Sequence, residues 1–209
     1  MFADRQTDTD GEVIFRRLSP AFSFQGKKNL QGGMTFHLRE QVRVGNSLPD
    51  ETFATWLFQI DPSRRFTRIG ANGTIGEQID FSSGRVGHGA NVQVFATIRP
   101  FDKITLEPLV TREWLNVGGE RLYTATVERL KTTYSFSSKS LVRVIGQYVT
   151  GHSGVHTGSF LGSVLYSYKL NWQTVLFAGY GDDRVLTETN NLVKADRSFF
   201  FKVSYAIQR

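Results

Sequence analysis

Two histidines, His152 and His156, stand four residues apart in the short segment 151–157. Imidazole nitrogens bind zinc and related ions, and a four-residue spacing puts two of them on one face of a helix. This segment holds two glycines and no accompanying carboxylate motif, so surface histidines are the simpler expectation. Gly151-His-Ser-Gly154 partly matches a nucleophile elbow, but the pattern needs glycine two residues after the serine, and Val155 stands there. Asp182 and Asp183 could polarise a water if His88 or His152 came near. Two solvated aspartates closing a strand explain them more simply. Gly70, Gly73 and Gly76 lack the following helix N-terminus that a phosphate cradle requires. Glycines that ease bends or allow close packing account for them. There is no cysteine, hence no disulfide or thiolate chemistry. No catalytic residue, metal site or cofactor is expected.

The elements that carry these residues are strands. The 209 residues include 17 Phe, 7 Tyr, 3 Trp and 20 Gly, yet only 40% are hydrophobic. That pairing suits a sheet with one apolar face. A helical span needs a run of about 20 apolar residues, and the longest apolar stretches, such as 175–178 and 199–201, fall far short. Residues 1–10 form a polar lead-in without the apolar segment of an export signal. A secreted barrel needs one, so either it was removed or the chain begins mid-protein. The charge of +6 comes from scattered basic residues with no nucleic-acid motif, so no nucleic-acid partner is expected.

Hydrophobicity alternates with period 2. In 198–208, Phe199, Phe201, Val203, Tyr205 and Ile207 oppose Ser198, Lys202, Ser204 and Gln208, with Phe200 and Ala206 as exceptions. In 34–44, Met34, Phe36, Leu38, Val42 and Val44 oppose Thr35, His37, Arg39, Gln41 and Arg43. Alternate side chains of a strand point to opposite faces. Eleven strands follow, at 12–24, 32–44, 52–60, 65–79, 89–99, 103–115, 121–136, 139–150, 158–170, 173–182 and 197–208. Most are long enough to cross a membrane at a tilt.

Tight turns at 61–64, 100–102, 137–138 and 171–172 alternate with longer links at 45–51, 80–88, 116–120, 151–157 and 183–196; the segment 25–31 is an exception. Short turns at one end and longer loops at the other mark an outer-membrane barrel with a periplasmic C-terminus. Aromatics collect near both strand ends. Phe58, Phe66, Tyr134, Tyr168, Trp172 and Tyr205 lie toward the tight turns, and Trp114, Tyr148 and Tyr180 toward the longer links. They are expected to form girdles at the lipid–water boundaries. Bacterial single-chain barrels have even strand numbers, so an odd count implies a strand upstream of Met1. The expectation is an all-β, antiparallel, up-and-down transmembrane barrel, seen as the C-terminal part of a larger even-stranded one. Glu40 on an apolar parity and Pro20 and Pro108 inside strands fit poorly.

Three blocks carry a resemblance: Thr132–Tyr148, Tyr168–Asp183 and Phe199–Ala206. They resemble the C-terminal barrel domain of unknown function that follows a carbohydrate-binding-type β-sandwich module in many Gram-negative bacteria. The resemblance covers nearly the whole chain and is most specific in its later third. It implies a larger barrel, a longer polypeptide, and a carbohydrate ligand held by the upstream module. It brings no catalytic residues. The end departs from common barrels, with Ile207-Gln-Arg209 in place of a terminal aromatic.

On the other parity, Arg39, Arg43, Arg99, Glu107, Glu113, Arg143 and Lys202 are expected to face the lumen. Such charges line pores and set ion preference, or pair to hold a lumen closed. The favoured function is a non-enzymatic outer-membrane barrel of a cell-surface protein, acting as pore, uptake component or anchor for the upstream module. Its partners would be the lipid bilayer and lipopolysaccharide. The alternative is an outer-membrane barrel hydrolase with its site in the extracellular loops. A soluble antiparallel β protein is the third possibility.

Overall fold

A computed structural model describes residues 2–187 and 189–206, which hold strands and turns and no helix. The strands are β1 (Phe2–Thr7), β2 (Val13–Ser19), β3 (Ala21–Gly26), β4 (Leu30–Val42), β5 (Asp50–Ile60), β6 (Phe66–Asp80), β7 (Arg85–Phe101), β8 (Ile104–Val117), β9 (Glu120–Ser135), β10 (Ser140–Ser153), β11 (Val155–Lys169), β12 (Thr174–Leu186) and β13 (Leu192–Tyr205). They form one sheet in the order β1-β2-β4-β5-β6-β7-β8-β9-β10-β11-β12-β13, with β3 also paired to β4. The pairings resolved residue by residue are antiparallel. The end of the last expected strand, 207–208, lies outside the described residues.

Thirteen strands replace the expected eleven for two reasons. First, Phe2–Thr7 is a strand and not a lead-in, since it pairs with β2 from Phe2↔Ser19 to Thr7↔Val13. Its charged sequence, FADRQT, hides the alternation. Second, Pro20 divides the expected strand 12–24. Proline has no ladder donor, and β2 and β3 lie one after the other along β4, opposite 38–42 and 30–35. They share one position across the sheet. The path through the sheet therefore runs over twelve strands among the described residues, with β3 beside it on β4. β8 runs through Pro108 without interruption.

Most of the longer links also shrink. β8 and β9 are joined by Gly118 and Gly119 alone, with φ of 64° and 89°. Two successive positive φ values make a type I′ hairpin turn, which glycine adopts without penalty. Only Gly154 separates β10 from β11. The expected loop 151–157 is thus the tip of a hairpin. The asymmetry between the two ends survives in the strands. β10 continues from Tyr148 to Ser153 and β12 from Tyr180 to Leu186, whereas β11 ends one residue past Tyr168 and β13 ends at Tyr205.

Contacts divide the chain into two units. One comprises Met1–Asp61, Ile69–Val94 and Thr111–Ala125; the other comprises Pro62–Arg68, Phe95–Val110 and Thr126–Arg209. Register assigns faces within each. In the second unit, Val142, Val144, Gly146 and Tyr148 oppose Tyr166, Val164, Gly162 and Phe160. Tyr166 and Val164 oppose Ala178 and Tyr180, which oppose Phe201 and Phe199. These form an apolar face. Arg143, Gln147, Ser163, Ser167, Asp183, Ser198 and Lys202 fall on the other, polar face. Ile145, Leu161, Leu165, Phe177 and Phe200 also fall on that face, and the Phe200 ring lies across Gly179. In the first unit, Met34 and Phe36 oppose Trp56 and Ala54, while Thr35 and Gly33 oppose Thr55 and Leu57, which oppose Thr74 and Asn72.

Among the described residues, the buried hydrophobic core is Ile79, Ala90 and Leu115. Phe199, Phe201, Tyr205, Trp172, Phe22 and many more large apolar side chains are exposed. A soluble monomer rarely exposes contiguous apolar patches of this extent. Glu128 shares a parity with Leu130 and Tyr134, and no contact among the described residues explains it.

Gly73 shows why glycine is needed inside a strand. A Cβ there would run into the backbone carbonyl oxygen of Asn91 and stand 3.2 Å from the Trp56 ring. Gly146, by contrast, has nothing nearer than 3.9 Å. Gly73→Ala is expected to destabilise the folded chain by about 1–3 kcal/mol, as overpacking does. Gly146→Ala should stay within about 0.5 kcal/mol. Urea unfolding midpoints of the two variants in detergent micelles check this.

Candidate functional site

Side-chain chemistry concentrates on the polar face. In the first unit the Asn91 amide donates to Glu113 at 3.0 Å, and the Tyr123 hydroxyl donates to the other Glu113 oxygen. The Gln93 amide donates to Thr111 at 3.2 Å, and the Asn72 amide reaches Gln93 at 3.5 Å. Neighbouring strands β6, β7, β8 and β9 are thereby tied by side chains as well as by backbone. In the second unit Lys131 pairs with Glu107 at 2.8 Å, both partly buried. A half-buried carboxylate needs such partners, since an unsatisfied one loses its solvation without compensation.

Register places the remaining charged candidates. Arg143 and Lys202 lie on the polar face, opposite Leu165 and Phe177. The Arg143 Nε is buried with no hydrogen-bond partner among the described residues. Arg99 is exposed, and its backbone N–H donates to Arg65 at 2.7 Å. Arg39 and Arg43 do not keep the expected face. β4 bulges at 38–40, between His37↔Phe53 and Glu40↔Glu51, and Arg39 takes φ of 50°. One extra residue exchanges the faces of everything beyond it. Arg39 is exposed and its Nε donates to Asp50 at 3.0 Å. Arg43 folds onto the Val13 carbonyl, at 2.9 and 3.1 Å, and onto Glu12. Gln41 and Arg43 now stand on the parity that Leu38 occupies before the bulge.

The same bulge resolves Glu40. It turns to the face of His37, whose Nδ1 lies 2.9 Å from a Glu40 oxygen. Ser19, also buried, approaches that same Nδ1 at 3.4 Å, and the imidazole stacks on Phe53 at 4.2 Å. A serine–histidine–carboxylate relay needs the two partners on opposite ring nitrogens. Here both meet one nitrogen, so the group is a buried anchor for the bulge. Sequence reasoning missed it, although the misplaced Glu40 was its signal.

The other constellations separate or stay incomplete. Asp182 and Asp183 are consecutive in β12 and point to opposite faces. Asp182 takes Arg184 at 3.0 Å and Arg197 at 3.7 Å on one oxygen, while Asp183 opposes Asp196. His152 and His156 are cross-strand partners with ring centroids 6.4 Å apart. No group of three or more His, Asp or Glu able to hold a metal exists among the described residues.

The aromatics take positions on the apolar face near its two ends. Tyr148 opposes Phe160 and Tyr180 opposes Phe199 toward the long hairpins. Tyr168 and Tyr205 lie toward the short turns, with the Tyr205 hydroxyl 3.4 Å from Gln173, and Trp172 sits in the turn itself. Trp114 alternates with Glu113, and Phe58 lies on the face of Trp56. Tyr134 meets Phe136 edge-on at 4.8 Å. Phe66 precedes Arg68, whose φ of 54° interrupts the alternation there.

No protein-family model matches the chain, and no curated protein matches it. Solved structures do. The outer membrane channel DcaP of Acinetobacter baumannii superposes with a TM-score of 0.66 at 11% identity, covering 97% of this chain and 67% of that one. The in-vitro folded trimer form of OmpT, an outer membrane protein of Vibrio cholerae, gives 0.55 at 12%, covering 94% and 66%. OmpT expressed in the outer membrane gives 0.50 at 12%, covering 94% and 82%. The chain spans about two thirds of the length of the first two. At these identities the likeness shows the fold, an antiparallel sheet similar to those of outer-membrane barrels.

Glu113 holds the polar face together through two partners. Glu113→Ala would leave Asn91 and Tyr123 unsatisfied and is expected to cost about 1–3 kcal/mol. Tyr123→Phe removes one bond and should cost about 1 kcal/mol. Thermal unfolding of the two variants in micelles, followed by heat-dependent gel mobility, measures both.

Proposed function

We propose that the chain forms the wall of a bacterial outer-membrane barrel whose apolar face meets lipid and whose polar face lines an aqueous lumen. The carrying observation is the uneven division of side chains between the two faces of the sheet. Large apolar side chains stand exposed on one face, and Asn72, Gln93, Thr111, Asn91, Glu113 and Tyr123 are hydrogen-bonded on the other. Only a closed barrel satisfies every backbone group of a sheet in lipid. The likeness to an outer membrane channel supports a passage for small polar solutes or ions over a purely structural role. The strands that overrun Tyr148 and Tyr180 suit the extracellular side, which leaves the short turns periplasmic.

The resemblance of the later third supports the finer reading, a barrel that serves a cell-surface protein with a carbohydrate-binding-type module upstream. The geometry gives an extracellular-loop hydrolase little support, since Asp182 and Asp183 diverge and no carboxylate joins the histidine pair among the described residues.

Planar-bilayer recording of the full-length protein tests the passage. Discrete, ohmic conductance steps are expected, and Glu113→Gln should lower the cation-to-anion permeability ratio, as loss of a negative wall charge does. A silent bilayer, with the protein shown to be inserted, would leave the anchor role alone.

A further inference from the structure

A second basic site lies away from the polar face. Arg5 of β1 and Arg16 of β2 are direct cross-strand partners, and Ala3 and Leu18 are the next pair on the same face. Leu18 opposes Leu38, which alternates with Met34 and Phe36. Arg5 and Arg16 thus project from the apolar face, next to Leu18 and Leu38. Like charges directly opposite destabilise a sheet. Among the described residues neither arginine has an ion pair or hydrogen-bond partner from its side chain. Arg17 differs, being paired with Asp4 at 3.8 Å.

A cavity of about 540 Å³ opens here, lined by Arg5, Arg16, Arg39, Ala3, Leu18 and Leu38 among others. Its chemistry is split. Its lining joins the aliphatic Ala3, Leu18 and Leu38 to Arg5, Arg16, Arg17 and Arg39, with Asp4 paired to Arg17 and Arg39 steadied by Asp50 at 3.0 Å. Guanidinium binds phosphate through paired, charge-assisted hydrogen bonds. A phosphate between Arg5 and Arg16 would turn their repulsion into a bridge, and Leu18 and Leu38 would accept the apolar part of the same molecule. Arg184 and Arg197 also lie on an apolar-face parity, but Asp182 already neutralises part of their charge. Among the described residues, Arg5 and Arg16 are a cross-strand arginine pair with no ion-pair partner.

We propose that Arg5, Arg16 and Arg39 form a site for the phosphate of a phosphorylated outer-leaflet lipid, with its acyl region seated on Leu18 and Leu38. Lipopolysaccharide, through the phosphates of its lipid anchor, has this chemistry. The proposal rests on the barrel reading above, which sets the apolar face against lipid. Binding would brace the β1–β2 pair at its most repulsive point.

The test uses the full-length protein in a non-ionic detergent, with diphosphorylated lipid A, its dephosphorylated form and inorganic phosphate as probes. Wild-type protein is expected to bind the diphosphorylated lipid at least tenfold more tightly than either other probe, and to melt at a higher temperature with it. The double variant Arg5→Gln/Arg16→Gln should lose at least tenfold in affinity and the thermal gain; Arg5→Lys/Arg16→Lys should retain most of both. Equal binding of the two lipid forms by the wild type overturns the proposal, whatever the variants do. Unchanged binding by the glutamine variant overturns it too. Inorganic phosphate binding as tightly as lipid would make this a free-anion site and not a lipid site. Heat-modifiable gel mobility, scored separately on wild type, reports the barrel itself, so failure of that reading is distinguishable from failure of the lipid site.

Discussion

The whole arrangement depends on the antiparallel ladder and its one-residue alternation between faces. Each cross-strand pair fixes which side of the sheet two side chains occupy, and one inserted residue reverses everything beyond it. The bulge at 38–40 of β4 shows the consequence in both directions. It carries Glu40 to a buried place beside His37 and Ser19, and it carries Arg39 to Asp50. Among the described residues only Ile79, Ala90 and Leu115 are buried hydrophobics, so the sheet gains little from packing against itself. The apolar face must be covered by something other than this chain's own core, and lipid is the solvent that suits it.

Two kinds of satisfaction follow. Between neighbouring strands the ladder satisfies the backbone groups, as a sheet in a membrane requires. Side-chain polar groups are satisfied by one another across strands, as in the Asn91–Glu113–Tyr123 set and the Lys131–Glu107 pair. Charges that stand on the apolar parity, such as Arg184, Arg197 and Lys194, cluster beyond Tyr180 and Phe199, toward the hairpin tip. A charge is cheapest near the boundary and most costly at the midplane of the bilayer. Their position beyond the aromatics therefore agrees with the lipid-facing assignment.

Much of this was legible in the sequence. The alternation in 34–37 and 199–205 matches the faces that the register gives these residues, with Phe200 as the exception, and close packing accounts for Gly73 as its type and place in a strand suggest. What stayed hidden has physical causes. β1 carries Asp4, Arg5 and Gln6, so its alternation is masked by charge near a strand end. The link 151–157 contains glycine and histidine and looks like a loop, yet a single positive-φ glycine turns the hairpin. The His37–Glu40–Ser19 group joins β2 to a bulge in β4, and no local window of sequence records that approach. The polar ladder across β6 to β9 needs the register of four strands at once, which composition does not supply.

Face-by-face solvent access along β10 tests the account most directly. The chain has no cysteine, so single substitutions report cleanly. In the full-length protein in lipid vesicles, cysteines placed at Arg143, Ile145 and Gln147 should react with a water-soluble maleimide. Cysteines at Val142, Val144 and Gly146 should be protected there and become reactive when the vesicles are dissolved and the protein unfolded. Uniform reactivity along 142–147, or protection of the odd positions with exposure of the even ones, would contradict a lipid-facing apolar face and an aqueous polar one.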